Sequence, residues 1–388
     1  MSLDTDRAAE AFAASTDWTV GLEEEFAVLD PDTLDLVPRF EELRDSAAES
    51  DPVLHESISG ELISSEIEIR SGRGQDFHDA VGHQRDVRRR LFERAAAHGL
   101  ALGSTGTHPW ADYREQLNID TEHYRRVVEG LQYVARRNNT FSLHVHVGVR
   151  GADRAIAVCD RLRPVLPTLL ALSANSPYLD ARDAGLHSAR SQSFTKSFPR
   201  CGIPDAYGDW ATYAKYIDFL VSTNSIVEYT QVWWSVRPHF SFGTVEVRIC
   251  DAQATATESE ALAALIVACV AQAARDEDEG RPSPVGDARL DRRFIEENLW
   301  RAIRHGLDGD LIDFATLQER PAAAAVAELL SWTAPMRAEL GIEPSLPALN
   351  GAQRQRRAIA AGAPKEEVYA TSVHETRQTY AQEVPASS

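Results

Sequence analysis

Three adjacent glutamates, Glu23, Glu24 and Glu25, lie in the strand-like segment Thr19–Leu29. Because side chains alternate between the two faces of a strand, Glu23 and Glu25 must share one face, about 7 Å apart along the chain. Like charges this close repel each other and are tolerated where water solvates them or a cation neutralises them. Taken alone, the segment is compatible with a solvated edge strand and equally with a cation site.

Three further strand-like segments have the same layout: Leu62–Arg70, Phe141–Val149 and Thr244–Cys250. One face of each is apolar, and the other face carries carboxylates, imidazoles or guanidinium groups, at Glu66, Glu68, Arg70, His144, His146, Glu246 and Arg248. A lone His-x-His pair is as often structural as metal-binding, and a lone Glu-x-Arg pair is usually an exposed ion pair. If the four segments pair in one sheet, however, one face of that sheet is crowded with metal-ligand groups.

The donor groups on this face are mostly carboxylate oxygens, with one or two imidazoles and no thiolate. That set favours Mg²⁺ or Mn²⁺ over zinc. Several carboxylates would be needed to hold two or three divalent ions against a nucleotide triphosphate, and arginines among them would steady a transferring phosphoryl group. The chain has no GxxxxGK[ST] loop, and its only lysines are Lys196, Lys215 and Lys365, so ATP would have to bind without a P-loop.

The elements that must position these groups do not form a regular βαβ series. Strand-like segments, including a fifth at Val232–Val236, are widely spaced, and a polar segment near residues 276–287 is predicted to be an exposed loop followed only by helices. We therefore expect an α+β fold with a largely antiparallel sheet backed by helices. The predicted helices are Asp76–His98, Thr121–Arg137, Asp153–Ser173, Trp210–Ser222, Glu258–Arg275, Arg292–Gly306 and Ala322–Leu340.

The composition is that of a globular protein with an acidic surface. Hydrophobic residues make up 43% of the 388 residues, enough for a sizeable core, and the formal net charge of −19 disfavours nucleic acid and anionic membranes as partners. The four cysteines form no CxxC pair, the N-terminus lacks signal-peptide features, and the longest apolar run, Ala261–Ala274, is too short to span a bilayer. We therefore expect a cytoplasmic protein.

Seven sequence blocks together resemble the type 2 glutamate–cysteine ligase family, whose members are carboxylate–amine ligases related in fold to glutamine synthetase and the guanidino kinases. The main blocks are GLEEEF (Gly21–Phe26), SEIEIRSG (Ser65–Gly72), SLHVHVG (Ser142–Gly148) and GTVEVRICDAQ (Gly243–Gln253). SARSQSF (Ser188–Phe194), WRAIRHGLDG (Trp300–Gly309) and GAQRQR (Gly351–Arg356) support them. The resemblance implies a single catalytic domain over residues 18–380, with an N-terminal extension at 1–17 and a flexible tail at 381–388.

The resemblance also implies roles for individual residues. The metal ligands would be Glu23, Glu25, Glu68, His144 and Glu246, while Arg248 and Arg190 would contact phosphate or a substrate carboxylate. Glu61 would be a further ligand. Strict alternation places Glu61 and Glu68 on opposite faces, so this assignment requires a bulge near Ser64-Ser65. His146 and Arg354 would be neighbours of the site that bind nucleotide or substrate.

The chemistry that the resemblance implies is ATP-dependent formation of γ-glutamylcysteine. ATP, the co-substrate, would phosphorylate the γ-carboxylate of glutamate with Mg²⁺ or Mn²⁺ as cofactor, and the amine of cysteine would displace phosphate from the acyl-phosphate. The partners would then be small molecules, and a homo-oligomer is compatible with the sequence. Two alternatives stay open: a metal-dependent hydrolase that uses His144, His146 and the glutamates, and a family member that binds nucleotide or amino acid without turnover.

Overall fold

The computed structural model describes residues 4–382, in which one large sheet and several short strands are surrounded by helices. The strands are β1 Val20–Leu29, β2 Ile58–Gly60, β3 Glu66–Arg70, β4 Ala101–Gly103, β5 Ser142–Gly148, β6 Tyr178–Leu179, β7 Arg182–Asp183, β8 Cys201–Gly202, β9 Trp233–Trp234, β10 Val236–His239, β11 Thr244–Asp251, β12 Asp310–Asp313 and β13 Gln318–Pro321. The helices are α1 Thr5–Ala13, α2 Phe40–Ser50, α3 Pro52–Ser57, α4 Phe77–Ala97, α5 Glu122–Leu131, α6 Tyr133–Arg136, α7 Ala152–Leu162, α8 Leu166–Ser173, α9 Ala189–Ser193, α10 Trp210–Ser222, α11 Ala256–Asp278, α12 Arg292–His305, α13 Ala322–Leu340, α14 Gly351–Ala360 and α15 Lys365–Tyr380.

The large sheet has seven strands in the order β10-β11-β5-β1-β3-β2, with β4 also paired to β1. All of its strand pairs are antiparallel. Three of the strands predicted with one apolar and one charged face, β1, β5 and β11, are neighbours at its centre. The expected α+β fold with a largely antiparallel sheet backed by helices is therefore confirmed.

The back of the sheet packs on helices α7, α8 and α11. Side chains of the central strands, among them Leu22, Val145 and Val247, belong to one buried cluster with residues of these helices. Burial of each such side chain stabilises the fold by about 1.5–3 kcal/mol, so this packing fixes which face of each strand points away from the core. Helix α11 is long and apolar enough to cross a membrane, but 89% of its most apolar window is buried in the core.

One carboxylate, Glu24, lies on the back of the sheet among these apolar side chains. Its Oε2 accepts hydrogen bonds from Arg88 Nε at 2.7 Å and Gln84 Nε2 at 2.9 Å, and its Oε1 accepts from Arg88 Nη2 at 2.6 Å and from the Ser259 hydroxyl. The Arg88 and Glu24 side chains are only 1% and 4% exposed. This bidentate pair satisfies the buried charge and joins β1 to α4.

Two predicted strands were wrong in their extent. The segment Leu62–Arg70 is not one strand, because β2 and β3 form a hairpin and residues 61–65 connect them. In that connection the Leu62 carbonyl and the Ser64 amide bond to residues 117–119 instead of to a sheet neighbour. The segment Val232–Val236 is divided between β9, which pairs with β8, and the edge strand β10, where Pro238 is tolerated.

Each predicted helical stretch is helical in the structure, but two of the stretches are interrupted and form two helices each. Helices α4, α10, α11, α12 and α13 lie where they were predicted. The stretch Thr121–Arg137 is interrupted at Gln132, which has a φ of 50°. The stretch Asp153–Ser173 is interrupted by a 3₁₀ turn at Arg163–Val165, where Pro164 cannot donate the helical hydrogen bond.

The region after α11 contains strands as well as helices. Helix α11 extends to Asp278, so the polar connection begins later than predicted and runs over residues 279–291, mostly exposed. The expectation that only helices follow was wrong, because β12 and β13 form a two-stranded antiparallel hairpin. Their short polar sequences, DLID and QERP, carry no clear alternation that would have indicated strands.

Near the N-terminus, helix α1 places Phe12 in the main buried cluster, so part of the predicted extension packs on the sheet domain. Residues 1–3 and 383–388 lie outside the described residues, and with them most of the predicted tail at 381–388. The division of the chain into extension, catalytic domain and tail stays a prediction.

The buried pair Glu24–Arg88 yields a stability prediction. Arg88→Met leaves the Glu24 carboxylate buried without its main partner, so we expect unfolding free energy to fall by about 3–5 kcal/mol. The double variant Glu24→Met/Arg88→Met should recover most of that loss. The control Arg125→Met removes an exposed pair with Asp120 and should cost about 1 kcal/mol or less. Urea denaturation measures all three, and a single Arg88→Met variant as stable as the control would contradict the assignment.

Candidate functional site

The front face of the sheet collects the charged side chains of β1, β3, β5 and β11. Glu23 lies opposite His144 and Arg70, and Glu25 lies opposite Glu68. Since residues directly opposite each other in an antiparallel pair project from the same face, these groups must meet on the front of the sheet. His146 extends the row, because it lies opposite Glu246 on β11.

Three overlapping groups of side chains on this face have the spacing of cation ligands. In each group one ligand atom per residue lies within 4.8 Å of the others, and the groups are Glu23, Glu68 and His144; Glu23, His146 and Glu246; and Glu25, Glu61 and Glu68. The structure therefore brings together all six residues that were predicted as metal ligands, and His146 with them. The six predicted ligands line one cleft, and His146 lies behind Glu23 and Glu246 and lines an adjoining cavity.

Glu61 reaches this cluster by a route that differs from the predicted one. No bulge is needed, because Glu61 directly follows β2 at the start of the hairpin connection, and the chain reverses before β3 brings Glu68. Burial, followed by the nearby charge of Glu25, raises the pKa of Glu61 to about 8. At neutral pH without a cation, this carboxyl group is therefore mostly protonated.

The carboxylates at the β3 side of the cleft share this tendency. Burial and the surrounding carboxylates raise the pKa of Glu66 and of Glu68 well above the ordinary value. Glu66 is also buried, and its Oε2 has no hydrogen-bond partner among the residues that the structure describes. An unpaired buried carboxylate oxygen is costly, so this part of the site is suited to receive a positively charged ligand.

The carboxylates at the β11 side have lowered pKa values. Burial alone would raise the pKa of Glu23, but His146 and His144 outweigh it and lower this pKa well below its ordinary value. Arg237 and Arg248 lower the pKa of Glu246 in the same way against the effect of burial. Both groups therefore stay ionised at neutral pH.

The two histidines differ in their electrostatic environment. Burial and then Arg248 lower the pKa of His144, so its imidazole is kept neutral, which is the form that binds metals. Its Nδ1 lies 3.1 Å from Glu23 Oε2, and its Nε2 lies 2.7 Å from the Ser142 hydroxyl. For His146 the carboxylates of Glu23 and Glu246 outweigh burial and raise the pKa.

Two arginines line the same cleft. Arg248 Nη1 donates to Glu246 Oε1 and lies 3.3 Å from His144 Nδ1. Arg190, from α9, donates through Nη1 and Nη2 to the carbonyl oxygens of Ile249 and Arg248, at 3.1 and 3.2 Å. In the described part of the chain, the buried Nε of each arginine has no hydrogen-bond acceptor. Both can therefore donate to a phosphate or carboxylate in the cleft.

Arg237 was not among the predicted site residues, and no ligand role was predicted for Glu66. Arg237 Nε and Nη2 donate to the two oxygens of Glu246 at 2.6 and 3.2 Å, and Nη1 donates to the Val232 carbonyl oxygen. It holds the Glu246 carboxylate in place and ties it to the cleft wall. The alternation of VRPH in β10 could have indicated Arg237. It was overlooked because the strand was predicted to begin at Val232, four residues before its observed start at Val236.

Arg354 does not line the acidic cleft. It donates to both oxygens of Glu258 and to the Leu349 carbonyl oxygen, and it lines a separate cavity with Asn175 and Glu375. The geometry around Arg354 gives no support for the predicted contact with nucleotide or substrate. His146, the other predicted neighbour, lies 3.3 Å from Glu23 Oε1 and 3.8 Å from Glu246 Oε1, inside the cluster.

Relatives with similar sequences cover most of the chain. A protein of Solibacter usitatus, provisionally named glutamate–cysteine ligase 2, is 38% identical over 87% of this chain and 88% of its own length. A protein of Rubrobacter xylanophilus, provisionally named glutamate–cysteine ligase 2-2, is 40% identical over 82% of this chain and 81% of its own length.

Solved structures with a similar fold have much lower sequence identity. The glutamate–cysteine ligase of Francisella tularensis, solved in complex with AMP, is similar with a TM-score of 0.66 and 12% identity over 96% of this chain and 91% of that one. The bifunctional glutathione synthetase of Pasteurella multocida has a TM-score of 0.67 and 14% identity over 96% of this chain, which spans 53% of that longer protein. These similarities establish the fold.

A sequence model described as glutamate–cysteine ligase family 2 matches residues 19–372. The matched range contains the whole acidic cleft, from Glu23 to Arg248. Together with the relatives at 38% and 40% identity, this match shows that the chain belongs to glutamate–cysteine ligase family 2.

Proposed function

We propose that this protein is an ATP-dependent carboxylate–amine ligase that joins the γ-carboxylate of L-glutamate to the amine of L-cysteine and releases ADP and phosphate. One observation carries the proposal: a cleft in which glutamates with cation-ligand spacing lie beside two arginines that have unpaired donors. Membership of glutamate–cysteine ligase family 2 supports it. The partners are small molecules, and the protein acts in the cytoplasm.

The donor set fits Mg²⁺ or Mn²⁺. Carboxylate oxygens predominate in the three groups with cation-ligand spacing, and no thiolate belongs to them. Bound divalent cations would neutralise the charge of the ATP phosphates and polarise the transferring phosphoryl group. The residues that would hold them are Glu23, Glu25, Glu61, Glu68, His144 and Glu246, with His146 beside them.

In the first step, a γ-carboxylate oxygen of glutamate attacks the γ-phosphorus of ATP, the bond to the β-phosphate oxygen breaks, and ADP leaves. Arg248 donates to the phosphoryl oxygens as their charge shifts, and Arg190, fixed by two backbone carbonyl groups, orients a substrate carboxylate. In the second step, the amine nitrogen attacks the acyl carbon, phosphate leaves, and the nitrogen loses a proton.

This route needs the protein to position charges rather than to form a covalent bond. The cysteines Cys159, Cys250 and Cys269 are buried and Cys201 is half-buried, and burial raises the pKa of each thiol, that of Cys201 to about 11, so none is a ready nucleophile. The glutamates and arginines of the cleft are sufficient for phosphoryl transfer when a divalent cation and both amino acids are bound.

The reaction itself is tested by ADP release with glutamate and an amine present. We expect ADP formation to require both amino acids and Mg²⁺ or Mn²⁺, to stop with EDTA, and not to be sustained by zinc. A metal-dependent hydrolase would instead cleave a substrate without ATP. A binding-only protein would bind ATP in calorimetry without releasing ADP, and either result would overturn the proposal.

Arg248→Lys tests the role of the guanidinium group. The substitution keeps the positive charge but removes the planar group that can hold two oxygens together, so we expect kcat to fall by ~10²–10³. The control is Arg85→Lys, which changes a two-bond pair with Glu260 outside the cleft. The control should keep its kcat. A wild-type kcat for Arg248→Lys together with a lowered Tm would show that Arg248 is structural.

The raised pKa values yield a prediction of pH dependence. A carboxyl group whose pKa rises on folding stabilises the fold below its unfolded pKa of about 4.3, and this stabilisation is lost as the pH rises through its folded pKa. Because the pKa of Glu61 is about 8 and those of Glu66 and Glu68 are also raised, the Tm of metal-free protein should fall between pH 5 and pH 8. Mg²⁺ should raise the Tm more at pH 8 than at pH 6.

Two variants test by differential scanning calorimetry whether the raised pKa of Glu61 contributes to this pH dependence of the Tm. Glu61→Gln should reduce the slope of Tm against pH. Glu42→Gln should leave the slope unchanged, because Arg39 lowers the pKa of Glu42 to about 2, so its titration lies below this window. A Tm that rises from pH 5 to pH 8 would contradict the explanation.

A further inference from the structure

One part of the cleft wall is aromatic. Phe194, Phe198 and Trp233 line the cleft, with ring centroids 4.5 Å apart for the two phenylalanines and 5.5 Å apart for Phe198 and Trp233. Phe198 is buried, while Phe194 and Trp233 are only half-buried. In the described range, residues 4–382, these three rings are not part of the hydrophobic clusters that support the sheet. Apolar surface left open inside a cleft favours an apolar ligand group.

The charges around this wall are those that a zwitterion needs. The unpaired Nε of Arg190 can donate to a carboxylate, Arg248 is left for the phosphoryl group, and the unpaired Oε2 of Glu66 can accept from an ammonium group. All three residues line the same cleft as the aromatic rings. An α-amino acid carries its ammonium and carboxylate groups on the same carbon atom, so it can use both kinds of group while its side chain contacts the rings.

The space beside the wall exceeds what a small side chain fills. Val127, Gln231 and Trp233 line both the acidic cleft and an adjoining cavity, whose lining includes the apolar Leu131 and Pro199 and, around them, Arg126 and Arg200. The adjoining cavity has a volume of about 220 Å³. A side chain that passes Trp233 therefore enters further, partly apolar space.

The nucleobase of ATP can bind in a cavity other than the one beside the aromatic wall. A cavity of about 540 Å³ meets the cleft at Glu23 and is lined by Arg70, Arg73 and Phe242, whose ring stacks on His239 at 4.2 Å. Arginines near a stacked aromatic ring suit a nucleoside phosphate, and this cavity lacks the Glu66 carboxylate. The aromatic wall beside Glu66 is better matched to an amino acid.

We infer that the preferred amine substrate of this ligase is an α-amino acid with an apolar side chain larger than the –CH₂SH group of cysteine, and that Phe194, Phe198 and Trp233 contact this side chain. The inference rests on the proposed ligase function and refines its second substrate. Cysteine, the amine named in the proposed function, is then a substrate that the site accepts but uses less well than the larger amino acid.

The test uses the full chain and ADP release at fixed ATP, glutamate and Mg²⁺. Leucine, methionine and phenylalanine are compared with cysteine, serine and aspartate as the amine. We expect kcat/KM for at least one large apolar amino acid to exceed that for cysteine and serine by at least about tenfold, since added apolar contact discriminates on that scale.

Phe194, whose ring is half-buried, is the residue to substitute in a test of this contact. Phe194→Ala should raise the KM for the preferred amine by about tenfold or more while the KM values for ATP and glutamate stay near wild type. Phe194→Leu should restore part of the loss, because it returns apolar contact. The matched control is Phe219→Ala on α10, which removes a ring that is 56% exposed and does not line the cleft.

The outcomes separate the inference from the proposed function. ADP release with equal or better use of cysteine, serine or aspartate would overturn the inference and leave the ligase function standing. A rise in the KM for ATP in Phe194→Ala would place the nucleobase at this wall and also overturn it. If no amine stimulates ADP release, the proposed function fails first.

Discussion

The structure depends on keeping several carboxylates close together on one face of a sheet despite their mutual repulsion. Glu23, Glu25 and Glu68 occupy adjacent register positions, where like charges destabilise strand pairing. Apolar packing of the opposite face on α7, α8 and α11 opposes this repulsion and also sets the direction of each side chain. A shift of one residue in any central strand would place apolar groups in the cleft and carboxylates in the core.

Charge compensation within the fold acts on both faces of the sheet. On the back, Arg88 neutralises Glu24, the residue between the two front-face glutamates of β1. On the front, Arg237 fixes both oxygens of Glu246, and its remaining donors bind backbone carbonyl groups of residues 230 and 232 in the cleft wall. The arginines that carry these pairs are buried and come from α4 and β10, so the sheet and its neighbours hold the site jointly.

Alternation predicted this arrangement where both faces of a strand had strong and opposite character. Strands β1, β5 and β11 are of that kind, and their polar residues converge as the pattern required. The pattern failed where contacts distant in sequence decide the structure. Residues 61–65 form hydrogen bonds with residues 117–119 and leave the sheet. The alternation of the local sequence does not reveal these distant contacts. Glu61 therefore reaches the cluster through the β2–β3 hairpin and not along one continuous strand. Arg354 was assigned by resemblance and not by alternation; it pairs with Glu258 outside the acidic cleft, and its contact with nucleotide or substrate stays a prediction.

The two sides of the acidic cleft differ in how much of their charge the protein itself neutralises. Near β11, the arginines and histidines keep Glu23 and Glu246 ionised, so this side has its own countercharges. Near β3, burial and neighbouring carboxylates raise the pKa of Glu61 and Glu68 despite the opposing charges of Arg248 and Arg70, so a proton or a cation is needed to neutralise them fully. A bound cation would therefore gain most at the β3 side, where it would replace protons, and the arginines of the β11 side would be left to bind the anionic groups that a divalent cation brings with it.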